Sequence, residues 1–194
     1  VAAGVFLVAR FFPLFVASDT AMNTVAIIGG VTAIFAASMG MVMNDMKRVM
    51  AYSTISQLGY MMLALGVGAY GAAIFHLFAH AFFKALLFLS AGSVNHATGT
   101  FDMRFMGGLR KHMPWTYAAT LVASLSLAGI FPLSGFWSKD EILAGAWSGQ
   151  FAASALVSQL VFWLALIAVF MTAFYVFRAI FMTFHGKFRG GAEA

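Results

Sequence analysis

Cysteine is absent from the 194 residues, which excludes disulfides and any thiolate metal site. Charge is scarce: Asp, Glu, Lys and Arg make up 9% of the chain, and 62% is hydrophobic. Average soluble domains carry about 25% charged residues, and a soluble core of this length has no room for so much apolar surface. The strict alternation of apolar and polar residues that marks membrane strands is missing, which argues against a membrane barrel. No phosphate-binding glycine loop, nucleophile triad or zinc motif is present. Acidic residues are few, six against eleven Lys and Arg, for a net charge of +5. That excess does not point to nucleic acid, because the basic residues fall in short loop clusters, a distribution that fits membrane orientation.

What is there is a series of long apolar stretches, so the chain reads as an all-α, polytopic transmembrane helix bundle in a single domain over 1–194. About six segments are expected. The first, Val1 to Val16, resembles the truncated end of a helix. The others run from about Asn23 to Met43, Val49 to Val67, Tyr70 to Val94, Trp115 to Trp147 and Phe151 to Met182. The fifth is interrupted around Pro132-Leu133-Ser134-Gly135. Small-residue pairs, Ala36 with Gly40 and Ala64 with Gly68, are expected to mark close helix contacts. The chain opens Val1-Ala2-Ala3-Gly4, with neither an initiator methionine nor a basic n-region. A signal peptide is therefore not expected, and the chain reads as a piece of a longer protein.

The connections alternate in charge. Lys47, Arg48, Arg104, Arg110, Lys111, Arg178, Lys187 and Arg189, eight of the eleven Lys and Arg residues, fall on alternate connections and the tail. The positive-inside rule assigns that side to the cytoplasm, or to the matrix of a mitochondrion. Arg10 sits near the opposite face, where a long side chain can snorkel out. Lys84 and Lys139 have no such explanation.

Lys84 lies within "HLFAHAFFKALLFL", and no acidic residue occurs between Tyr70 and Phe101. A lysine at mid-bilayer costs roughly 2.5–3.5 kcal/mol on insertion scales, so an intramembrane amine is a functional-site hypothesis by default. His76, His80 and Lys84 are spaced i, i+4, i+8. Each step turns about 40° on a helix, so the three share a face and span roughly 12 Å. Neutral imidazole donates at one nitrogen and accepts at the other, and so can relay a proton. The trio suits a chain that loads and releases protons, with water between its members. The plainer reading is three polar side chains satisfied by neighbouring helices.

Lys139 follows "FPLSGFWS". Pro132 removes a backbone donor and Gly135 admits unusual dihedrals, which together predict a discontinuous helix. Unwound backbone inside a membrane is tolerated only where it is buried in protein or lines water, and transporters place ion sites at such breaks. Asp140 and Glu141 follow at once, and Lys139 is expected to pair with either of them or with a carboxylate elsewhere. The plainer reading of "SKDE" is an interfacial loop.

Asn44-Asp45-Met46-Lys47-Arg48 reads as a cytoplasmic helix start, an acid at the N-terminus followed by interface anchors. Tyr52, Ser53, Thr54, Ser56 and Gln57 continue it inward, either lining a hydrated path or holding helices together. His96, His112 and His185 lie near loops and read as surface residues.

The run "NDMKRVMAYSTISQLGYM" resembles the signature of the antiporter-like membrane subunits of respiratory complex I and their relatives. "AIFHLFAHAFFKALLFLSAGSVNHATGTFDMRFMGGLRKHMP" and "LSGFWSKDEIL" resemble the subunit L, or chain 5, branch of the proton-pumping NADH:quinone oxidoreductase. The resemblance covers about Val1 to Trp147. It implies two inverted repeats of five helices within a larger subunit, of which this chain would hold the second, with the broken helix as the twelfth. It implies that Lys84 is the central lysine of a membrane-plane hydrophilic axis, that His76 and His80 bridge from it, and that Lys139 serves proton exit with Asp140 and Glu141. Asp45 and Lys47 would form a polar pair at the cytoplasmic start of the tenth helix. The glutamate and lysine that such subunits carry on earlier helices are not in this sequence, so the chain alone is not expected to pump.

The function implied is proton translocation coupled to NADH oxidation by quinone. The chain would hold no cofactor; flavin, iron–sulfur clusters, NADH and quinone would be bound by other subunits. Its partners would be other membrane subunits, notably a neighbouring antiporter-like one, with lipids and protons but no nucleic acid. A bacterial inner membrane is expected in preference to a mitochondrial one. The rivals are the large subunit of a multi-subunit Na⁺/H⁺ antiporter, a membrane-bound hydrogenase and a structural membrane subunit without an ion path. A haem protein using His76 and His80 as ligands is a rival of another class; the two lie one turn apart on the same helix and cannot sit on opposite sides of one haem, and an absorption spectrum decides it.

Overall fold

The computed structural model describes residues 2–149 and 154–190. The regular structure among them is helical: α1 (Ala2–Arg10), α2 (Phe12–Val16), α3 (Asp19–Val42), α4 (Met46–Gly66), α5 (Tyr70–Thr98), a 3₁₀ turn (Met103–Phe105), α6 (Pro114–Ala128), α7 (Ser134–Ser148) and α8 (Ala155–Phe184). The expected six segments are present as these helices because two of them divide. The first is not one truncated helix. It breaks at Phe11, ahead of Pro13, which has no N–H to continue the ladder of α1. The fifth divides into α6 and α7, with the break at Gly129–Leu133, slightly before the expected place. Val1 and Phe151, where the first and sixth segments were expected to begin, lie outside the described residues.

Local chemistry sets the boundaries. Ser18 caps α3 by accepting from the Ala21 N–H, and Asp19 adds a negative charge in the first turn. This moves the start of α3 ahead of Asn23. Pro114 occupies the first turn of α6, where its missing N–H costs nothing. Gly129 ends α6 in the left-handed region at φ 82°, a conformation that a residue with a Cβ avoids.

α3, α5 and α8 are long and apolar enough to cross a membrane. α4, with 21 residues, falls short in hydropathy rather than length. It is instead enclosed: α3, α5 and α8 pack around it, and Ser53, Ser56 and Gln57 are buried. α6 and α7, at 15 residues each, are shorter than the roughly 20 that a span requires.

α3 and α4 approach each other through glycine. A Cβ on Gly59 would meet Gly29 O and Ala33 N, and one on Gly66 would meet the backbone of Ala26. Ser56 Oγ also donates to Ala33 O at 2.8 Å. The expected pairing of Ala64 with Gly68 is not a helix contact. Gly68 follows the end of α4 at φ 83°, in the turn to α5. Gly40 packs against the Tyr175 ring of α8.

The basic segments interlock at one end of the bundle. Met46 N–H donates to Phe101 O and Met103 N–H to Asn44 O, both at 2.9 Å. Gly108 N–H donates to His185 O at 3.0 Å. Arg178, near the end of α8, donates to Met41 O, Met43 O and Asn44 Oδ1, satisfying the C-terminal carbonyls of α3. Arg189 does the same for Met103 O, Arg104 O and Met182 O.

Candidate functional site

His76, His80 and Lys84 occupy successive turns of one face of α5, as their spacing requires. All three are buried, with Lys84 only 5% exposed. None points outward. α4, α6 and α7 pack against α5.

Three helices meet at His76, and a fourth joins through Gln57. Its Nδ1 lies 2.8 Å from Ser138 Oγ of α7, and its Nε2 lies 2.9 Å from Gln57 Oε1 of α4. Gln57 Nε2 in turn donates to Thr172 Oγ1 of α8 at 3.4 Å. Tyr175, one turn further along α8, donates to Ser53 Oγ at 2.6 Å. Of the two readings of the inward face of α4, Ser56 serves helix packing, whereas Gln57 and Ser53 belong to this polar network.

His80 is held differently. Its Nε2 is buried without a hydrogen-bond partner among the described residues. Its ring centroid is 6.4 Å from that of His76, and the Phe83 ring meets it edge-on at 5.4 Å. The two histidines are not directly bonded, so a proton passing between them needs a ring rotation or a bridging water.

The two lysines find carbonyls rather than carboxylates. Lys84 Nζ donates to Met50 O of α4 at 3.3 Å, and the Thr54 hydroxyl donates to the same carbonyl at 2.9 Å. An ammonium offers three hydrogens, so the charged form has one shared acceptor. Lys139 Nζ donates to Leu127 O. That carbonyl belongs to the last turn of α6, which has no helical partner and carries the negative end of the helix dipole. The break therefore supplies the acceptor for the amine.

The expected ion pair between Lys139 and Asp140 or Glu141 is not formed. Each residue on a helix turns about 100° from the last, so Asp140 and Glu141 point away from buried Lys139 and are exposed. Among the described residues the one ion pair is Arg104 with Asp102. Glu141 lines a depression of about 430 Å³ with Tyr70, Gly71 and Ser148, at the end of the bundle away from the basic segments.

Asp45 and Lys47 lie at the basic end, off the buried chain. Asp45 caps α4 by accepting from Arg48 N–H at 2.8 Å. Lys47 is exposed, its Nζ 5.5 Å from the centroid of the Phe101 ring. They do not pair with each other. Nearby, the Arg104 side chain grips Asp102 in hydrogen bonds of 2.7–3.1 Å and holds its carboxyl below the usual carboxylate range.

Sequence reading missed Ser138, Thr172 and Tyr175 as members of the site. Thr172 and Tyr175 left a signal: two polar groups at i, i+3 inside a 30-residue apolar helix. Ser138 lies within the proline-glycine motif beside a charged neighbour, and nothing in its spacing marks it out.

Comparison with known proteins adds the following. A family model described as NADH:quinone oxidoreductase/Mrp antiporter, TM, matches residues 1–160. The chain is 49% identical over 202 residues to NAD(P)H-quinone oxidoreductase chain 5 of Synechocystis, covering 100% of this chain and 28% of that protein. It is 52% identical over 190 residues to NADH-quinone oxidoreductase subunit L of Rickettsia bellii, covering 97% of this chain and 28% of that one. It is 52% identical over 199 residues to F(420)H(2) dehydrogenase subunit L of Methanosarcina mazei, covering 96% of this chain and 29% of that one. Among solved structures, the Mrp complex from Dietzia superposes with a TM-score of 0.86 at 35% identity, covering 99% of this chain and 21% of that one. The chain thus spans less than a third of the length of these relatives.

Proposed function

The chain belongs to the NADH:quinone oxidoreductase/Mrp antiporter transmembrane family, and on that footing we propose that it is part of a proton-translocating membrane subunit of a quinone oxidoreductase. The observation that carries this reading is one buried series, Lys84, His80, His76, Ser138 and Lys139, running from mid-α5 to the broken α6–α7 junction. Each member takes and gives a proton or, for the serine hydroxyl, passes one. No carboxylate pairs with either amine among the described residues, so neither charge is neutralised there.

The mechanism follows from that imbalance. A charge pair elsewhere in the full subunit changes the proton affinity at Lys84. The proton moves to His80 and then, by bridging water and the Ser138 hydroxyl, towards Lys139, with His76 holding a proton beside Ser138. From there it leaves on the side where Glu141 and Asp140 are exposed. Moving one charge against 100 mV costs about 2.3 kcal/mol, so the neighbouring charge pair must shift the affinity at Lys84 by at least that much. Asp45 and Lys47 shape the basic, proton-uptake end. NADH, flavin, iron–sulfur clusters and quinone belong to other subunits of the complex. A neighbouring antiporter-like subunit is the partner that supplies the driving charge, and a bacterial plasma membrane is the setting.

The test is Lys84→Ala in the complete complex, reconstituted in vesicles. The expected result is loss of proton uptake per NADH oxidised through this subunit. Wild-type pumping stoichiometry overturns the proposal. The likeness to the Mrp complex supports a second reading, a subunit of a multi-subunit Na⁺/H⁺ antiporter. Sodium flux with no response to NADH or quinone would select it.

A further inference from the structure

We infer that Thr172 and Gln57 fix neutral His76 in the tautomer with its hydrogen on Nε2, so that the imidazole gains and loses protons at Nδ1 alone, with Ser138 as the rotor at that nitrogen. The inference deepens the proton-path reading and rests on it for its functional meaning; the tautomer itself follows from counting hydrogens.

The Thr172 hydroxyl has one hydrogen. It sits 2.7 Å from Ala168 O, one turn back on α8, an atom that only accepts. The hydrogen is committed there, so Thr172 Oγ1 presents lone pairs to Gln57. The Gln57 amide must turn its NH₂ group to them, across 3.4 Å. That sends Gln57 Oε1 to His76 Nε2 at 2.9 Å. A carbonyl oxygen only accepts, so Nε2 carries the hydrogen. The Tyr175 hydroxyl, also 3.4 Å from Thr172 Oγ1, donates its hydrogen to Ser53 at 2.6 Å, so the reverse amide orientation would set two acceptors face to face at Thr172.

Nδ1 of the neutral ring is then bare and accepts from Ser138 Oγ at 2.8 Å. Ser138 has a second acceptor within reach, Gly135 O at 3.3 Å. To load Nδ1, Ser138 passes its hydrogen to the ring and takes another from a protonated water on the path; that hydrogen turns to Gly135 O and the serine oxygen accepts from Nδ1. When the proton leaves, the hydroxyl turns back. Atoms and charges balance in both positions, and no other group has to move. A primary amide does not exchange protons readily with imidazole, so the Gln57 side is closed. His76 is a one-port proton store facing α7, whose next residue is Lys139, rather than a wire with one nitrogen at each end.

Magic-angle-spinning NMR tests this on the complete complex in lipid, carrying ring-¹⁵N histidine, with His76→Gln to assign the signal. The expected result is a neutral His76 with its hydrogen on Nε2 in most molecules. A hydrogen on Nδ1 overturns the proposal. In Thr172→Val the amide loses its acceptor, and the Nδ1–H fraction should rise several-fold; an unchanged tautomer overturns the role of Thr172. The wild-type spectrum decides the tautomer even where the variant fails to assemble. Wild-type pumping by His76→Gln would instead overturn the proton-path reading and leave the tautomer standing, so the two failures are distinguishable.

Discussion

The amine of Lys139 caps the carbonyl of Leu127, binding the second half of a broken helix to the exposed end of the first. Two effects compete at this contact. Burying an amine without an acid costs roughly 2.5–3.5 kcal/mol on insertion scales. Leaving a buried carbonyl unsatisfied costs about 1–3 kcal/mol.

These nearly cancel, which sets the expectation for Lys139→Met. Stability should move by no more than about 2 kcal/mol in either direction, while proton transfer through this subunit is lost. Thermal unfolding of the purified complex and proton uptake in vesicles check the two halves. A variant that unfolds readily and, where assembled, pumps normally would make Lys139 a helix cap and nothing more.

Ser138→Ala removes the hydroxyl between His76 and the start of α7 while leaving the lysines and histidines in place. The expected result is a fall in proton-transfer rate of about tenfold, equivalent to about 1.4 kcal/mol on the barrier, with assembly unchanged. Steady-state proton uptake and its solvent isotope effect are the measurements. A wild-type rate would remove Ser138 from the path.

Much of this arrangement was legible in the sequence. The i, i+4, i+8 spacing gave the shared face of His76, His80 and Lys84, because helical geometry leaves no alternative once the segment is helical. Pro132 with nearby glycine gave the break. The partners of these residues were not legible. Whether Lys139 meets Asp140 or Leu127 O depends on which face of α7 turns towards α6, and a charged neighbour in the sequence says nothing about that. Thr172 and Gln57 are separated by more than a hundred residues and meet only through the packing of α8 on α4. The split at Phe11 went unread for a different reason: Pro13 lies in an apolar run whose composition alone reads as continuous.

Gly135→Ala tests the close approach of the broken ends. An added Cβ would run into Ser126 O, and Gly135 N–H also donates to Ser126 Oγ at 3.3 Å. Backbone cannot move aside as a flexible side chain can, so α7 must shift as a unit and take Ser138 and Lys139 with it. Overpacking of this kind costs about 1–3 kcal/mol. Lower yield of assembled complex and a lower midpoint of thermal unfolding are expected. Pumping should fall more than in Gly4→Ala, where an added Cβ meets nothing.

The basic end offers a test with a defined pH dependence. Arg104 donates to both carboxylate oxygens of Asp102 and holds its pKa below the ordinary value. A carboxyl whose folded pKa is depressed contributes stability that is fully present above the unfolded value, about 3.9, and is lost as pH falls through the folded value. The neighbouring Met103 N–H to Asn44 O bond holds this loop to the start of α4. In Asp102→Asn the side-chain oxygen still accepts from the Arg104 backbone, but the charge is gone. Hydrogen exchange at Met103 and Arg104, corrected for intrinsic rates, should therefore be faster in the variant at pH 6, and the difference should close below about pH 3.9. It should also shrink in high salt, because the Arg104 side chain is 61% exposed and exposed pairs are screened. No gap at pH 6 would assign the loop's order to its backbone hydrogen bonds alone, and a gap that persists in acid would show that the carboxylate charge is not its cause.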